Sequence, residues 1–209
     1  MNPTPAPGLS RREFLLSSAA TLLASAAAGA TAPAARQPSL IADENRRAGA
    51  LDWQLTRVRL NKTAGIRAPA VEGYCSKQSV LAGDSLDIFV STTPAARFTI
   101  EIFRTGYYGG RGARLMTTLG PFDGTPQPVP EMGAKRLVEC QWARTTALKI
   151  PPDWPSGVYL GRLTTVPAAA DQPYWQNYVI FIVRDTRRAD ILLQCSDNTW
   201  QAYNKWPDN

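Results

Sequence analysis

The most restrictive feature of this chain is a period-two alternation of apolar residues, which recurs in short runs over residues 74–185. Leu86, Ile88 and Val90 form one run, and Phe98, Ile100 and Ile102 form another. Residues two apart lie on the same face of a strand, so each run predicts a strand with one buried face. The 17 Pro and 15 Gly favour many turns over long helices.

Turn residues separate these runs. The predicted turns are 82–84, 93–94, 106–110, 122–124 and 151–153. Further strands are expected at Leu137–Cys140, Val158–Leu163 and Tyr178–Val183, and the continuous apolar run of the last predicts burial on both faces. Roughly six or seven strands of this kind predict a mainly β domain over residues 74–185, an antiparallel β-sandwich of the immunoglobulin or fibronectin type.

The chain contains no histidine. This excludes Ser-His-Asp and Cys-His catalysis, and zinc or iron sites that need histidine, from these residues. Any chemistry must use carboxylates, phenols, thiols, hydroxyls or the backbone. The net charge of +6 is scattered along the chain, so we expect no nucleic-acid partner, which would need basic residues clustered on one face.

Residues 1–30 have the layout of an export signal, with a basic region, an uncharged run rich in Ala and Leu, and small residues at 28–30. The paired Arg11 and Arg12 resemble the twin-arginine (Tat) signal. The apolar run is shorter than the roughly 20 residues that span a bilayer. We therefore expect the Tat translocase as a partner, a periplasmic or extracellular location, and no stable membrane span.

Residues 31–73 are predicted to be a leader and tether, in which Leu51–Leu55 is either a first strand or part of the tether. The three cysteines are Cys75, Cys140 and Cys195, an odd number that cannot form a complete disulfide framework. A disulfide between Cys75 and Cys140 and two buried thiols are both open alternatives.

The segment Gly106–Gly112, which follows a predicted strand, is a glycine-rich loop that contains Tyr107 and Tyr108. They are candidates for ligand contact. The alternative is that they pack over the end of the sandwich, which is the commoner role of aromatic residues in such a loop.

Residues 186–209 predict a different kind of structure. Ala189–Cys195 has the pattern of a buried strand, Ser196–Thr199 offers helix-capping residues, and the next residues begin a helix. We expect the first strand, loop and helix of an α/β domain that is truncated in this chain. Trp200, Tyr203 and Trp206 mark either a ligand site at the carboxyl end of the strand or a simple apolar helix face.

The segment Ile191–Gln194 and the motif that follows it resemble the start of the catalytic domain in the large (beta) subunit of N,N-dimethylformamidase and its relatives. The motif residues are Asn198, Thr199, Trp200, Gln201, Ala202, Tyr203 and Asn204. The stretches Phe103–Gly110 and Trp154–Tyr159 resemble the sandwich domain that precedes it.

This resemblance implies an amidohydrolase with a single ferric ion held by two tyrosines and a glutamate. Tyr203 matches the first tyrosine ligand, and the other two ligands have no match in this chain. Phenolate oxygen suits Fe(III), and the ion would activate a small amide substrate. We expect that the chain alone binds no metal and is inactive.

Three functions stay open. The first is the exported N-terminal portion of such an iron amidohydrolase, which hydrolyses an amide C–N bond. The alternative is a secreted β-sandwich binding module for a carbohydrate or a protein partner, and the third is a purely structural sandwich. The predicted strand and capped helix after residue 185 favour the first, because a binding module needs neither.

Overall fold

The computed structural model of the protein describes residues 40–60, 67–189, 191–204 and 206–207. Its strands are β1 (Glu72–Cys75), β2 (Ser79–Leu81), β3 (Ser85–Ser91), β4 (Ala96–Thr105), β5 (Ala113–Gly124), β6 (Thr146–Lys149), β7 (Gly157–Thr165) and β8 (Gln176–Arg184). Its helices are α1 (Leu40–Asn45) and α2 (Asp197–Tyr203), with short 3₁₀ turns at Tyr108–Gly110 and Ala134–Arg136. The described part of the chain is therefore mainly β.

The strands form a three-stranded sheet in the order β1-β3-β6 and a five-stranded sheet in the order β2-β8-β7-β4-β5. Paired strands run antiparallel, except that β2 pairs in parallel with β8. Side chains from both sheets share one apolar core, so the sheets form a sandwich. The predicted fold class is confirmed.

The core consists of the alternate residues that the sequence pattern marks. On β3 the three apolar residues of the pattern are at most 2% exposed, and on β4 the three are fully buried. From β7 and β8 the core receives Tyr159, Leu163, Val179, Phe181 and Val183. Burying such side chains is the main favourable term in folding, at roughly 1.5–3 kcal/mol for each large apolar residue.

Two glycines allow the core to close around Val179. A Cβ atom at Gly161 would lie 2.7 Å from a methyl carbon of Val179. A Cβ atom at Gly73 would lie 3.1 Å from Val179 and 2.6 Å from the carbonyl oxygen of Phe89. Carbon atoms in contact are about 3.5–4.0 Å apart. A larger residue at Gly73 or Gly161 would therefore displace the valine.

The strand predicted at Leu137–Cys140 is wrong. Those residues are irregular, Leu137 is 61% exposed, and the strand that pairs with β3 is β6 instead. A turn closed by the Gly133 N–H and the Leu137 carbonyl occupies this stretch. Trp142, which follows it, is held by a hydrogen bond of 2.8 Å from its indole nitrogen to the Pro128 carbonyl.

The turn predicted at 122–124 is also wrong, because these residues form the end of β5 and pair with Ala96–Phe98. Gly124 serves close packing rather than a turn, since a Cβ atom there would lie 2.6 Å from the hydroxyl oxygen of Thr92.

β8 is buried on one face, not on both as predicted. Val179, Phe181 and Val183 are at most 2% exposed, whereas Ile180 between them is 42% exposed. The outer face of this sheet is covered where the segment before β1 crosses it. The Tyr178 hydroxyl there donates a hydrogen bond of 2.6 Å to the Trp53 carbonyl.

Residues 50–57 form that covering segment. The Thr56 N–H donates to the Gln176 side chain at 2.9 Å, and the Gln176 N–H donates to the Arg57 carbonyl at 2.7 Å. The Trp53 indole donates to the Arg111 carbonyl at 2.8 Å. Of the two alternatives for Leu51–Leu55, the structure has the tether. The stretch predicted as the leader also contains a helix, α1.

No helix in the described ranges is long and apolar enough to cross a membrane.

Replacing core residue Ile100 by Ala should lower the free energy of unfolding by about 2–5 kcal/mol, because the lost methyl groups leave a cavity. The matched control Ile180→Ala, on the outer face, should cost about 1 kcal/mol or less. Urea denaturation of the two variants measures both values. Equal losses would contradict the assignment of inner and outer faces.

Candidate functional site

The residues of the predicted metal motif lie on α2, a short helix after Ser196. Ser196 is the N-cap residue, although its side chain makes no capping hydrogen bond, and Asn204 is the C-cap. The exposed residues of this segment are Asn198, Thr199, Trp200, Gln201, Ala202, Tyr203 and Asn204. The helix thus brings the motif together on a solvent-exposed element, with the Tyr203 side chain 81% exposed.

The buried strand predicted before this helix is not formed in residues 191–196. Ile191, Leu192 and Leu193 are 86%, 88% and 76% exposed, and Asp190 lies outside the described residues. A strand of this apolar type needs sheet neighbours and covering helices. None of the described strands pairs with it.

Trp206 attaches the segment after α2 to the three-stranded sheet. Its indole nitrogen donates a hydrogen bond of 2.9 Å to Glu72 on β1. Its ring meets the Trp142 ring edge-on at 5.9 Å, and the Arg67 guanidinium lies 5.2 Å from its centroid. The helix face predicted from Trp200, Tyr203 and Trp206 is not formed, because the helix ends at Tyr203. Trp206 packs on the sandwich, while Trp200 and Tyr203 are exposed.

A ferric ion does not fit the residues described around Tyr203. The described ranges hold no group of three or more Cys, Asp or Glu side chains close enough to share a metal ion. A mononuclear site needs several protein donors in fixed geometry, and one exposed phenol does not supply them.

The structure separates the two tyrosines of the glycine-rich loop. Tyr107 is 69% exposed, whereas Tyr108 is 2% exposed and belongs to the interior. The backbone of Tyr108 has a φ of 42°, an uncommon conformation for a residue with a side chain. Tyr108 thus packs at the end of the sandwich, and Tyr107 is the one available for ligand contact.

A buried polar cluster holds Tyr108 in place. Its hydroxyl donates a hydrogen bond of 2.9 Å to Glu44 on α1 and accepts one of 2.9 Å from Arg104 on β4. Arg114 on β5 donates to the same Glu44 oxygen at 2.7 Å. Arg104 also donates to the Ser156 carbonyl at 2.8 Å. The cluster joins α1, the loop and the end of the five-stranded sheet.

The charges of this cluster shift its titrations. Burial by itself would raise the pKa of Glu44, but hydrogen bonds from Arg114 and Tyr108 and the charges of Arg114 and Arg47 outweigh it and hold the pKa below its ordinary value. Burial is the largest cause of the raised pKa of Tyr108. Glu44 is therefore a carboxylate and Tyr108 a neutral phenol at neutral pH.

Sequence reasoning missed this cluster. Glu44 lies in the stretch predicted as leader, where nothing in the sequence marks a buried carboxylate. The burial of Arg104 could have been predicted, because Arg104 follows Ile100 and Ile102 at the next inward-facing position of β4.

A cavity of about 480 Å³ lies between α1, the residues that follow it, and the glycine-rich loop. Its lining includes Asn45, Tyr107 and three arginines, Arg46, Arg47 and Arg111. No Asp or Glu of the described ranges lines it. The cavity is an electropositive recess with an exposed aromatic ring at its edge.

Cys75, Cys140 and Cys195 are free thiols in the structure. Burial raises the pKa of Cys75 to about 12 and also raises the pKa of Cys140, so both are protonated thiols. Of the two alternatives for Cys75 and Cys140, the structure has the thiols. Arg11 and Arg12, predicted to direct export, lie outside the described residues.

Replacing Glu44 by Gln should lower stability at pH 7 by roughly 1–3 kcal/mol, since it leaves Arg114 and Tyr108 without their carboxylate. The folded-state pKa of Glu44 is depressed, so its contribution is complete above the ordinary value of 4.5 and is lost as the pH falls through the lower folded value. The difference between the two proteins should therefore shrink as the pH falls below 4.5.

Thermal or urea unfolding as a function of pH measures this difference. The control is Asp43→Asn, because Asp43 pairs with Arg46 at an exposed position and contributes little. A difference that stays constant as the pH is lowered from 7 to well below 4.5 would show that Glu44 is not held as a carboxylate.

The family model described as N,N-dimethylformamidase beta subunit-like, C-terminal, matches residues 99–209. The matched segment runs from within β4 through β8 and α2 and includes Tyr203. A comparison with curated proteins finds no match.

Proposed function

The chain belongs to the N,N-dimethylformamidase beta subunit-like family, and we propose that it is the exported sandwich portion of an amide hydrolase. The reaction of such an enzyme is hydrolysis of a C–N amide bond in a small substrate. In this proposal the sandwich is the domain that carries and orients the segment with the Tyr203 motif.

One observation carries the proposal. The match to the family is a single segment, which contains the sandwich strands from β4 to β8 and also the helix with Tyr203. Trp206 supports the same view, since its contacts with Trp142 and Glu72 attach the motif segment to the sandwich. The sandwich and the motif therefore belong to one functional unit.

In a complete homologue, Tyr203 is proposed as the first phenolate ligand of Fe(III), which suits the hard, anionic oxygen of a phenol. Its 81% exposure leaves the phenol accessible to further donors. Because the described residues do not assemble a metal site around it, we propose that this chain by itself binds no iron and does not hydrolyse amides.

The purified chain, incubated with Fe(III) and desalted, should retain no stoichiometric iron, show no phenolate-to-iron absorption and not hydrolyse N,N-dimethylformamide. Metal analysis, visible spectroscopy and amine release measure the three properties. One iron per chain with turnover would overturn the proposal of an inactive chain.

In a complete homologue that holds the ion, Tyr203→Phe would decide the ligand assignment, since it removes the phenol oxygen and keeps the ring. Tyr107→Phe is the matched control, because Tyr107 is also an exposed tyrosine, 69% accessible. Loss of iron in the Tyr203 variant alone would identify Tyr203 as a ligand.

Export by the Tat translocase to the periplasm or the medium is the second part of the proposal, and it rests on Arg11 and Arg12. Changing both arginines to Lys keeps the charge but removes the paired guanidinium groups, and the precursor should then accumulate in the cytoplasm. Immunoblots of cytoplasmic and exported fractions measure this. Changing Arg46 and Arg47 to Lys is the matched control, and equal export of both double variants would contradict the assignment.

A further inference from the structure

We propose that the cavity between α1 and the glycine-rich loop is a binding site for a small carboxylate with a flat, apolar body, such as an aromatic acid. The site lies apart from the Tyr203 motif. The inference therefore does not rest on the proposed hydrolase function.

The first argument is charge. Residues 40–49 and 104–114, which form the walls and the support of the cavity, contain five arginines against one aspartate and one glutamate, a net charge of +3. Arg111 lines the cavity and has no ion pair among the described residues. Its guanidinium presents a planar fork of donors that matches a carboxylate.

The other two arginines of the lining differ in how they are held. Arg46 pairs with Asp43 at an exposed position, and such a pair contributes little, so Arg46 can turn to a ligand anion at small cost. Arg47 lies 3.2 Å from the buried Glu44 carboxylate and stays with it, although its own side chain is more than half exposed. Arg47 therefore adds positive charge to the cavity without leaving Glu44.

The second argument is a buried cation behind the cavity. Arg104 is 4% exposed and forms no ion pair with a described residue, and its Nε has no hydrogen-bond partner there. Its guanidinium lies 5.9 Å from the ring centroid of Tyr108, which lines the cavity. Arg104 shares the Tyr108 hydroxyl with Glu44, but this one carboxylate also pairs with Arg114 and Arg47. The cluster therefore keeps an excess of positive charge, which an anion in the adjacent cavity would offset.

The third argument is the exposed aromatic ring. Tyr107 lines the cavity with a side chain that is 69% exposed, and its backbone N–H is fixed by a hydrogen bond of 2.9 Å to the Asn45 side chain. A flat apolar group can stack on such a ring while its carboxylate meets the arginines. This combination selects an aromatic acid over a simple inorganic anion.

The walls are already fixed in the free protein. A Cβ atom at Gly49 would lie 2.8 Å from the Cβ atoms of both Arg111 and Tyr108, so the chain after α1 packs directly against the loop. Tyr108 keeps its unusual backbone conformation because Glu44 and Arg104 hold its hydroxyl. A preformed site loses less entropy on binding.

The test is titration of the full chain with benzoate, followed by calorimetry or NMR. Benzoate should bind once per chain, and the neutral analogue benzamide should bind at least about tenfold more weakly. Arg111→Gln should weaken benzoate binding to a similar extent. Arg97→Gln, an exposed arginine outside this cavity, is the matched control and should bind benzoate normally.

Variants of Tyr107 distinguish the contribution of ring stacking to benzoate binding from that of the arginine charges. Tyr107→Phe keeps the ring and should bind benzoate normally, whereas Tyr107→Ala should weaken it roughly three- to tenfold. Both Tyr107 and Arg111 are exposed, and circular dichroism and thermal unfolding should show that the variants fold.

Four results would overturn the inference: no saturable benzoate binding, equal binding of benzamide, equal weakening by Arg97→Gln and Arg111→Gln, or unchanged binding in Tyr107→Ala. Inorganic phosphate that binds as tightly as benzoate would also overturn it, because it would identify a general anion site with no preference for an aromatic acid.

Discussion

The close packing of two sheets around one apolar core is the constraint on which the rest of the structure depends. Val179 reaches the centre of this core because Gly73 and Gly161 leave room for it. This packing fixes which face of each strand is outward, and so it fixes where the tether can cross the five-stranded sheet. It also fixes the positions at the strand ends from which the functional segments emerge.

One end of the sandwich is closed by buried polar groups instead of apolar ones. Glu44, Tyr108 and Arg114 share hydrogen bonds there, and Arg104 reaches the same hydroxyl from β4. A carboxylate in this position is tolerated because Tyr108 and Arg114 donate hydrogen bonds to it and Arg47 lies 3.2 Å from it. The consequence is a rigid wall made from a helix, a loop and two strands, and the arginine-rich cavity lies against that wall.

The segment with Tyr203 has the opposite character. Its helix and the apolar residues Ile191–Leu193 are exposed, and the contact with the sandwich is made through Trp206. The region that matches the N,N-dimethylformamidase beta subunit-like family includes this segment together with the sandwich strands from β4 to β8. The helix with Tyr203 is thus solvent-exposed, whereas the sandwich strands of the same matched region bury their inner faces in one core.

The sequence by itself determined the sandwich, the inward positions of Leu86 and Ile100, and the loop at 106–110, because period-two burial and turn residues are local signals. Only the tertiary structure decided that Tyr108 is buried and Tyr107 exposed, since that choice depends on Glu44, 64 residues earlier in the chain. The tertiary structure also decided that β6, and not the predicted strand at Leu137–Cys140, pairs with β3. Strand pairing depends on which backbone segment lies next to the edge of the sheet. Such long-range contacts leave no periodic trace, and a local pattern therefore cannot predict them.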